Sequence, residues 1–181
     1  MEILKIHNNP ERAEWAALTE RFTREEEEIT RQVTEILADV KSGGDRSLRE
    51  VTRRVEGRDP RTFEIPADVR AAADALIPAA LKEALAAAKA NIETFHRAQL
   101  PPEVDIETMP GVRCVQRAVP IRRVGLYIPG GKAPLFSTVL MLAVPARVAG
   151  CGEVILCTPA RPDGTIAPEI LYAADLCGVD R

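Results

Sequence analysis

One stretch, residues 123–159, constrains the fold more than any other part of the chain. It reads RVGLYIPGGKAPLFSTVLMLAVPARVAGCGEVILCTP, with two short apolar runs on either side of a glycine-rich loop and a longer apolar segment. The pattern predicts a strand at 124–128, a helix capped by Ser137 or Thr138 and ended by Gly150, and a strand at 154–157. Strands this apolar are typical of a parallel sheet covered on both faces. In open α/β sheets ligands bind at the carboxyl ends of the strands, which is where the glycine-rich loop falls.

The first half of the chain is predicted to be mainly helical. Asn9 followed by Pro10 is typical of the start of a helix, here one that runs through about Leu18, and a brief edge strand at 3–6 precedes it. A capping box from Thr23 to Glu26 begins a second helix, which places the acidic run 25–28 on a solvated helix start.

Apolar residues at helical spacing continue from that start until Gly43 and Gly44 end the second helix. Asp45 then caps a third helix that ends at Gly57, and residues 63–65 are a candidate extended piece. Pro66 and Pro78 suit the first turns of two further helices. The second of these carries an apolar stripe of Leu81, Leu85, Ala88, Ile92 and Phe95.

The pattern changes to a period of two after Pro101 and Pro102. Residues 104–109 and 112–119 alternate around Pro110-Gly111, which predicts a β-hairpin with a type II turn. After the second buried strand, Pro168 begins a helix that Gly178 ends. Because a parallel sheet of two strands is smaller than usual, residues 179–181 are interpreted as the approach to a third strand, and the chain as an N-terminal portion of a larger enzyme.

Composition excludes several classes of partner. The chain is 46% hydrophobic and 28% charged with a formal net charge of −3, so neither nucleic acid nor an anionic membrane is indicated. The start of the sequence lacks the features of a secretory signal, and no apolar run is long enough to span a membrane. We therefore predict a cytoplasmic protein. Its four cysteines, without CxxC spacing, are interpreted as reduced and buried: Cys114, Cys151, Cys157 and Cys177.

Known phosphate-binding motifs do not account for the loop at 129–131. Gly130-Gly131-Lys132 is followed by Ala133 instead of Ser or Thr, and the G-x-G-x-x-G fingerprint is absent. What remains is a generic anion site ahead of a helix start. Tyr127, near the end of the strand, is either a core residue or a ring offered to a cofactor.

The residues supply no catalytic constellation of their own. His7 is interpreted as a solvated loop residue and His96 as a structural histidine, and two histidines this far apart in sequence do not make a metal site.

A series of segments along nearly the whole chain closely resembles the histidinol dehydrogenase family. In chain order they are GGDRSL at 43–48, NIETFH at 91–96, VGLYIPGG at 124–131, STVLM at 137–141, PARVAGC at 145–151, VILCTP at 154–159 and ILYAADLCG at 170–178.

The resemblance implies a zinc-containing homodimeric enzyme that oxidises L-histidinol to L-histidine through L-histidinal, with two NAD-dependent hydride removals, as the last step of histidine biosynthesis. It implies that the cofactor NAD contacts Tyr127, with Pro129, Gly130 and Gly131 bordering the same pocket. The zinc ligands and catalytic residues of such enzymes lie beyond residue 181. This chain alone is therefore predicted to be inactive, with no catalytic or metal-binding residue of its own.

The resemblance also divides the chain. Residues 1–20 correspond to a dimer-clasping arm, 21–122 to the first half of an α/β domain, and 123–181 to the start of an incomplete Rossmann-like βαβα domain. The predicted fold class is thus α/β, with a helical N-terminal half, a hairpin and then parallel strands. The alternative hypothesis is a free-standing nucleotide-binding or dimerisation module without catalytic activity.

Overall fold

The computed structural model describes residues 6–20, 26–130 and 133–181, and it has the mixed α/β architecture expected from the sequence. The chain forms two compact units, residues 1–57 and 58–181. The helices are α1 (Trp15–Thr19), α2 (Glu26–Glu56), α3 (Ala67–Ala72), α4 (Ala79–Ala98), α5 (Phe136–Val148) and α6 (Pro168–Leu176). The strands are β1 (Val104–Met109), β2 (Val112–Gln116), β3 (Arg123–Tyr127) and β4 (Glu153–Cys157).

The first helix begins later than its sequence predicts. Asn9 has a φ of 46°, so it lies in the left-handed region and does not begin the helix. A 3-10 turn at Arg12–Glu14 leads into α1 instead, and the Glu14 carboxylate accepts a 2.9 Å hydrogen bond from the N–H of Glu11. The predicted capping box at Thr23 lies outside the described residues, as does nearly all of the predicted strand at 3–6.

The sequence predicts two helices separated at Gly43 and Gly44, and this boundary lies inside α2. Gly44 has φ 57° and ψ −142°, which are not helical values, so two helices meet here and the predicted boundary is confirmed. A residue with a Cβ would be strained in this conformation, so glycine is what permits the break. Ile29, Val33 and Leu37 on the segment before the break are exposed.

Helices α3 and α4 each follow a proline, as predicted, although Pro66 and Pro78 lie one residue before the first helical position. The fixed φ of proline, −57° and −58° here, suits that place. Leu85 is buried, but Phe95 at the end of the same predicted stripe is 64% exposed. Residues 63–65 form no strand.

The predicted hairpin is confirmed. Strands β1 and β2 pair antiparallel, and Gly111 has the positive φ, 82°, that a type II turn requires of its third residue. The second strand ends at Gln116 instead of Val119. Every residue of both strands is exposed.

Strands β3 and β4 pair in parallel, with Val124 beside Val154 and Tyr127 beside Cys157. Helix α5 connects them and packs with α6 and α4 to form the core of this unit. Its members include Leu85, Ile128, Val139, Leu140, Ala143, Val144, Val154, Ile170 and Ala173.

The prediction that both faces of this sheet are covered is wrong for β3. Val124 and Leu126 pack against the core, whereas Arg123, Gly125 and Tyr127 are exposed. Side chains alternate between the faces of a strand, so the alternating burial means that the described residues cover only one face of β3.

The last residues run beside β4. The N–H of Asp180 donates to the carbonyl of Val154 at 2.9 Å, and the N–H of Leu156 donates to the carbonyl of Arg181 at 2.8 Å. Residues 179–181 form no assigned strand, and these two bonds do not follow the register of a regular parallel ladder. The interpretation of these residues as the approach to a third strand stays a prediction.

All four cysteines are free thiols, but the prediction that they are buried is correct for only two of them. Cys151 and Cys177 are buried, whereas Cys114 on β2 and Cys157 at the end of β4 are exposed. Cys114 lies on a strand whose residues are all exposed, whereas Cys157 is the one exposed residue of β4.

Candidate functional site

The carboxyl edge of the β3–β4 sheet brings together most of the site residues expected from the sequence. Tyr127 ends β3 with 62% of its surface exposed, so the structure excludes the core alternative for its ring in the described chain. Its partner in register is Cys157, which is also exposed and lies on the same sheet face. Pro129 and Gly130 follow and are exposed, while Gly131 lies outside the described residues.

A buried residue anchors this edge. Ile128 is fully buried, and its N–H donates to the carbonyl of Cys157 at 2.9 Å. This bond continues the parallel ladder one residue beyond β3. It fixes where the chain leaves the sheet, and hence where the loop begins.

Gly130 holds the loop after β3 against the loop after β4. A Cβ placed on Gly130 would lie 2.6 Å from Cγ of Pro159, closer than real Cβ atoms come to a neighbour. Glycine is therefore required at position 130 because the two loops approach each other closely there. The sequence does not predict Pro159 as a site residue, because the spacing of residues along the chain does not indicate which loops contact each other.

The start of α5 faces the same end of the sheet. Its N-cap is Leu135, so the prediction that Ser137 or Thr138 caps the helix is wrong. No side chain of the described residues caps α5, and the N–H of Thr138 bonds only the backbone carbonyl of Leu135, at 3.0 Å. An uncapped helix start presents backbone N–H groups and the positive end of the helix dipole, which together attract an anion.

An apolar groove of about 300 Å³ runs between α4 and α5 and reaches this helix start. Phe136 and Ser137 line the groove at the first turn of α5, and Leu81, Ala84 and Ala88 line it from α4. Small alanine side chains leave the space that larger residues would fill.

The connection from β4 to α6 carries a fixed carboxylate. Asp163 accepts hydrogen bonds from the hydroxyl of Thr165 at 2.7 Å and from its N–H at 2.9 Å. The Thr165 side chain first, and then its backbone N–H, lower the pKa of Asp163. The turn leaves Arg161 exposed on this connection.

Within the described residues, no group of three His, Cys, Asp or Glu side chains comes together as a metal site. His96 is half-buried on α4, with its ring 5.9 Å from that of Phe95 in an edge-to-face arrangement. In the same part of the chain, no helix is long and apolar enough to cross a membrane.

Comparison with known proteins gives one consistent result. The sequence model of a family described as histidinol dehydrogenase matches residues 19–181. A histidinol dehydrogenase of Salmonella typhi is 53% identical over 164 residues, which are 91% of this chain and 37% of that protein. One of Escherichia coli O6:H1 is 56% identical over 153 residues, 84% of this chain and 34% of that protein.

A solved structure matches the fold as well as the sequence. The crystal structure of histidinol dehydrogenase from Elizabethkingia anophelis superposes with a TM-score of 0.87 at 41% identity, over 94% of this chain and 40% of that one. The chain thus spans well under half the length of the relatives it matches.

Proposed function

Because this chain belongs to the histidinol dehydrogenase family, we propose that it forms the NAD-binding edge of an enzyme that oxidises L-histidinol to L-histidine through L-histidinal. The observation that carries the proposal is the exposed Tyr127 at the carboxyl end of β3, next to an uncapped helix start. Such an edge is where open α/β sheets bind nucleotides.

The described residues fit a dinucleotide. The ring of Tyr127 offers an exposed aromatic face to a planar base or nicotinamide, and stacking of this kind contributes about 1–3 kcal/mol. The uncapped first turn of α5 supports the proposal as well, because free N–H groups at a helix start attract a phosphate. NAD, when bound, supplies the hydride acceptor.

The described residues form no cluster of ligands for the zinc that the family resemblance implies. We assign the metal and the acid–base chemistry to parts of the family's chain outside the matched region. We further propose that the whole enzyme is a cytoplasmic homodimer, in keeping with the family resemblance.

The test is a calorimetric NAD titration of the chain and of Tyr127→Ala. We expect NAD binding, and a roughly tenfold higher Kd for the variant, since about 1.4 kcal/mol of lost stacking corresponds to a factor of ten. Phe95→Ala is the matched control, because Phe95 is 64% exposed and lies on α4 away from β3. Equal affinities of all three proteins would contradict the assignment of Tyr127.

A further inference from the structure

A cavity of about 360 Å³ lies at the amino end of the β3–β4 sheet. The residues that line it are Arg122, Arg123, Gly152 and Glu153. Arg123 pairs in register with Glu153, whereas Tyr127 pairs with Cys157 four residues further along the two strands. Four residues of extended chain span about 13 Å, so this cavity and the ring of Tyr127 lie at opposite ends of the same sheet.

The backbone holds this end of the sheet together. The carbonyl of Arg122 accepts hydrogen bonds of 3.0 Å from the N–H groups of both Gly152 and Glu153. A Cβ on Gly152 would lie 3.2 Å from the same carbonyl oxygen, so the turn before β4 approaches the start of β3 closely. Because both N–H groups are already paired, the guanidinium groups remain as donors for a ligand.

The carboxylate in the cavity is already engaged by two cations. Nε of Arg123 donates a hydrogen bond to one carboxylate oxygen of Glu153, and Nη2 of Arg181 lies 3.6 Å from the other oxygen. Arg122 is exposed, and within the described residues no carboxylate pairs with it. Its guanidinium is therefore the donor at this edge that lacks an acceptor.

Positive charge is in excess around the cavity, since three guanidinium groups surround the single carboxylate of Glu153. Asp180 also acts on Glu153, but its own carboxylate pairs with Arg147 at 2.7 Å and accepts a 2.7 Å bond from the N–H of Val154. It is thus not available to Arg122.

The donors and the charge favour a phosphate group. The planar guanidinium binds phosphate through two parallel hydrogen bonds, and a dianion matches the excess charge better than a monovalent carboxylate does. We propose that this cavity binds inorganic phosphate or a small phosphate monoester, with Arg122 as the main donor. The proposal does not depend on the proposed function, because its residues lie at the other end of the sheet from Tyr127.

The test is an NMR titration of the isotope-labelled chain with inorganic phosphate, and in a second arm with glycerol phosphate. We expect saturable shifts of the backbone amides that line the cavity: Arg122, Arg123, Gly152 and Glu153. Shifts confined to residues 135–138 would place the phosphate at the start of α5 and overturn the proposal, as would shifts that do not saturate. A lower Kd for glycerol phosphate than for phosphate would support a monoester as the ligand, and equal values would support phosphate.

Arg122→Gln is expected to raise the Kd for both anions at least about tenfold, because charge-assisted hydrogen bonds to phosphate are lost. Arg113→Gln is the matched control, since it removes the same charge from the other sheet, where Arg113 pairs with Asp105. Its Kd should stay within about twofold of the parent value, because salt screens charges outside the site. Equal weakening by both substitutions would reveal general charge attraction and overturn the proposal.

Glu153→Gln gives a readout of opposite sign. It removes the negative charge that engages Arg123 and Arg181, so the Kd for phosphate should fall roughly threefold or more. Circular dichroism of all three variants checks that the fold is unchanged. A Kd that is unchanged or higher in a folded Glu153→Gln variant would overturn the proposal.

Discussion

Gly130 and Pro159 bring two loops together at the edge that we assign to the nucleotide. Glycine is needed here because a Cβ would overlap Pro159. Backbone conformation is not the reason, since the φ of Gly130 is not positive. Tyr127 lies three residues before Gly130 in the chain, on the uncovered sheet face.

Gly130→Ala is expected to destabilise the fold by about 1–3 kcal/mol, because the added methyl group would overlap Pro159 unless a loop shifts. Gly125→Ala is the control, because a Cβ there meets no atom within 4 Å. We expect Gly125→Ala to lie within about 0.5 kcal/mol of the parent or to be slightly more stable, since glycine weakens a strand. Urea unfolding of the three proteins measures the difference, and equal destabilisation by both substitutions would contradict the steric argument.

The four thiols are expected to separate into two reactive and two protected groups. Burial raises the pKa of Cys177 to about 11, so its thiolate is not available near neutral pH. Cys151 is only 8% exposed, so its sulfur is shielded from reagents in solution. Cys114 and Cys157 are exposed. Labelling with a chromogenic disulfide reagent at mildly alkaline pH should modify the exposed pair quickly and the buried pair only after denaturation. Rapid labelling of Cys177 in the native chain would contradict its burial.

At the scale of elements, Arg147 on α5 links the end of α6 to the edge of β4. Its guanidinium donates to the carbonyls of Gly178 and Cys151 and pairs with the Asp180 carboxylate at 2.7 Å. The same carboxylate accepts a 2.7 Å hydrogen bond from the N–H of Val154. These bonds of the Arg147 guanidinium and the Asp180 carboxylate thus hold residue 180 beside β4.

Asp180 is expected to make stability depend on pH. The N–H of Val154 and then Arg147 lower its pKa below the ordinary value of 3.8. A carboxyl whose pKa is lowered in the folded state stabilises the fold above its unfolded pKa, and that contribution is lost as pH falls through the folded pKa. Asp180→Asn should therefore reduce stability near neutral pH, and its stability should converge with that of the parent protein as pH falls through the lowered pKa of Asp180.

Urea unfolding across this pH range measures the effect. Arg147→Ala provides the contrast, because the arginine also binds two carbonyls whose loss does not depend on the protonation of Asp180. Its destabilisation should persist at acidic pH. Parallel pH profiles for Asp180→Asn and the parent would contradict a role for the ionised carboxylate.

At the scale of the whole molecule, the described residues leave apolar surface on every kind of element. Ile29 and Leu37 on α2, Ile106 on β1 and Met141 on α5 are each more than half exposed. One face of β3 is open as well.

The chain alone is expected to produce no NADH from L-histidinol in the presence of NAD and zinc. The reason is chemical, since the described residues contain no group of three His, Cys, Asp or Glu side chains that could hold a metal ion. Spectrophotometric detection of NADH measures this, with a full-length member of the family as positive control. Turnover that follows the purified chain through successive columns would show that the chemistry does not need the remaining part of the family's chain.

Much of the local structure follows from the sequence because its causes are local. Prolines with a fixed φ lie at the starts of α3 and α4, Pro110-Gly111 makes the hairpin turn, and two apolar runs flanking an apolar helix make a parallel βαβ unit. The motif series that runs through these elements was enough to identify the family, and Tyr127 was placed at the correct end of its strand. The division of the chain at residues 20 and 122 stays a prediction.

Tertiary structure decided which faces are covered and which loops meet. Apolar composition predicted that β3 is buried on both sides, but the helices present pack on one side and leave Tyr127 exposed. The contact of Gly130 with Pro159, the bonds of Arg147 to Gly178 and Asp180, and the exposure of Cys114 and Cys157 depend in the same way on residues distant in sequence. Sequence pattern shows that a side chain is suited to burial, whereas only the packed chain determines whether anything is there to bury it.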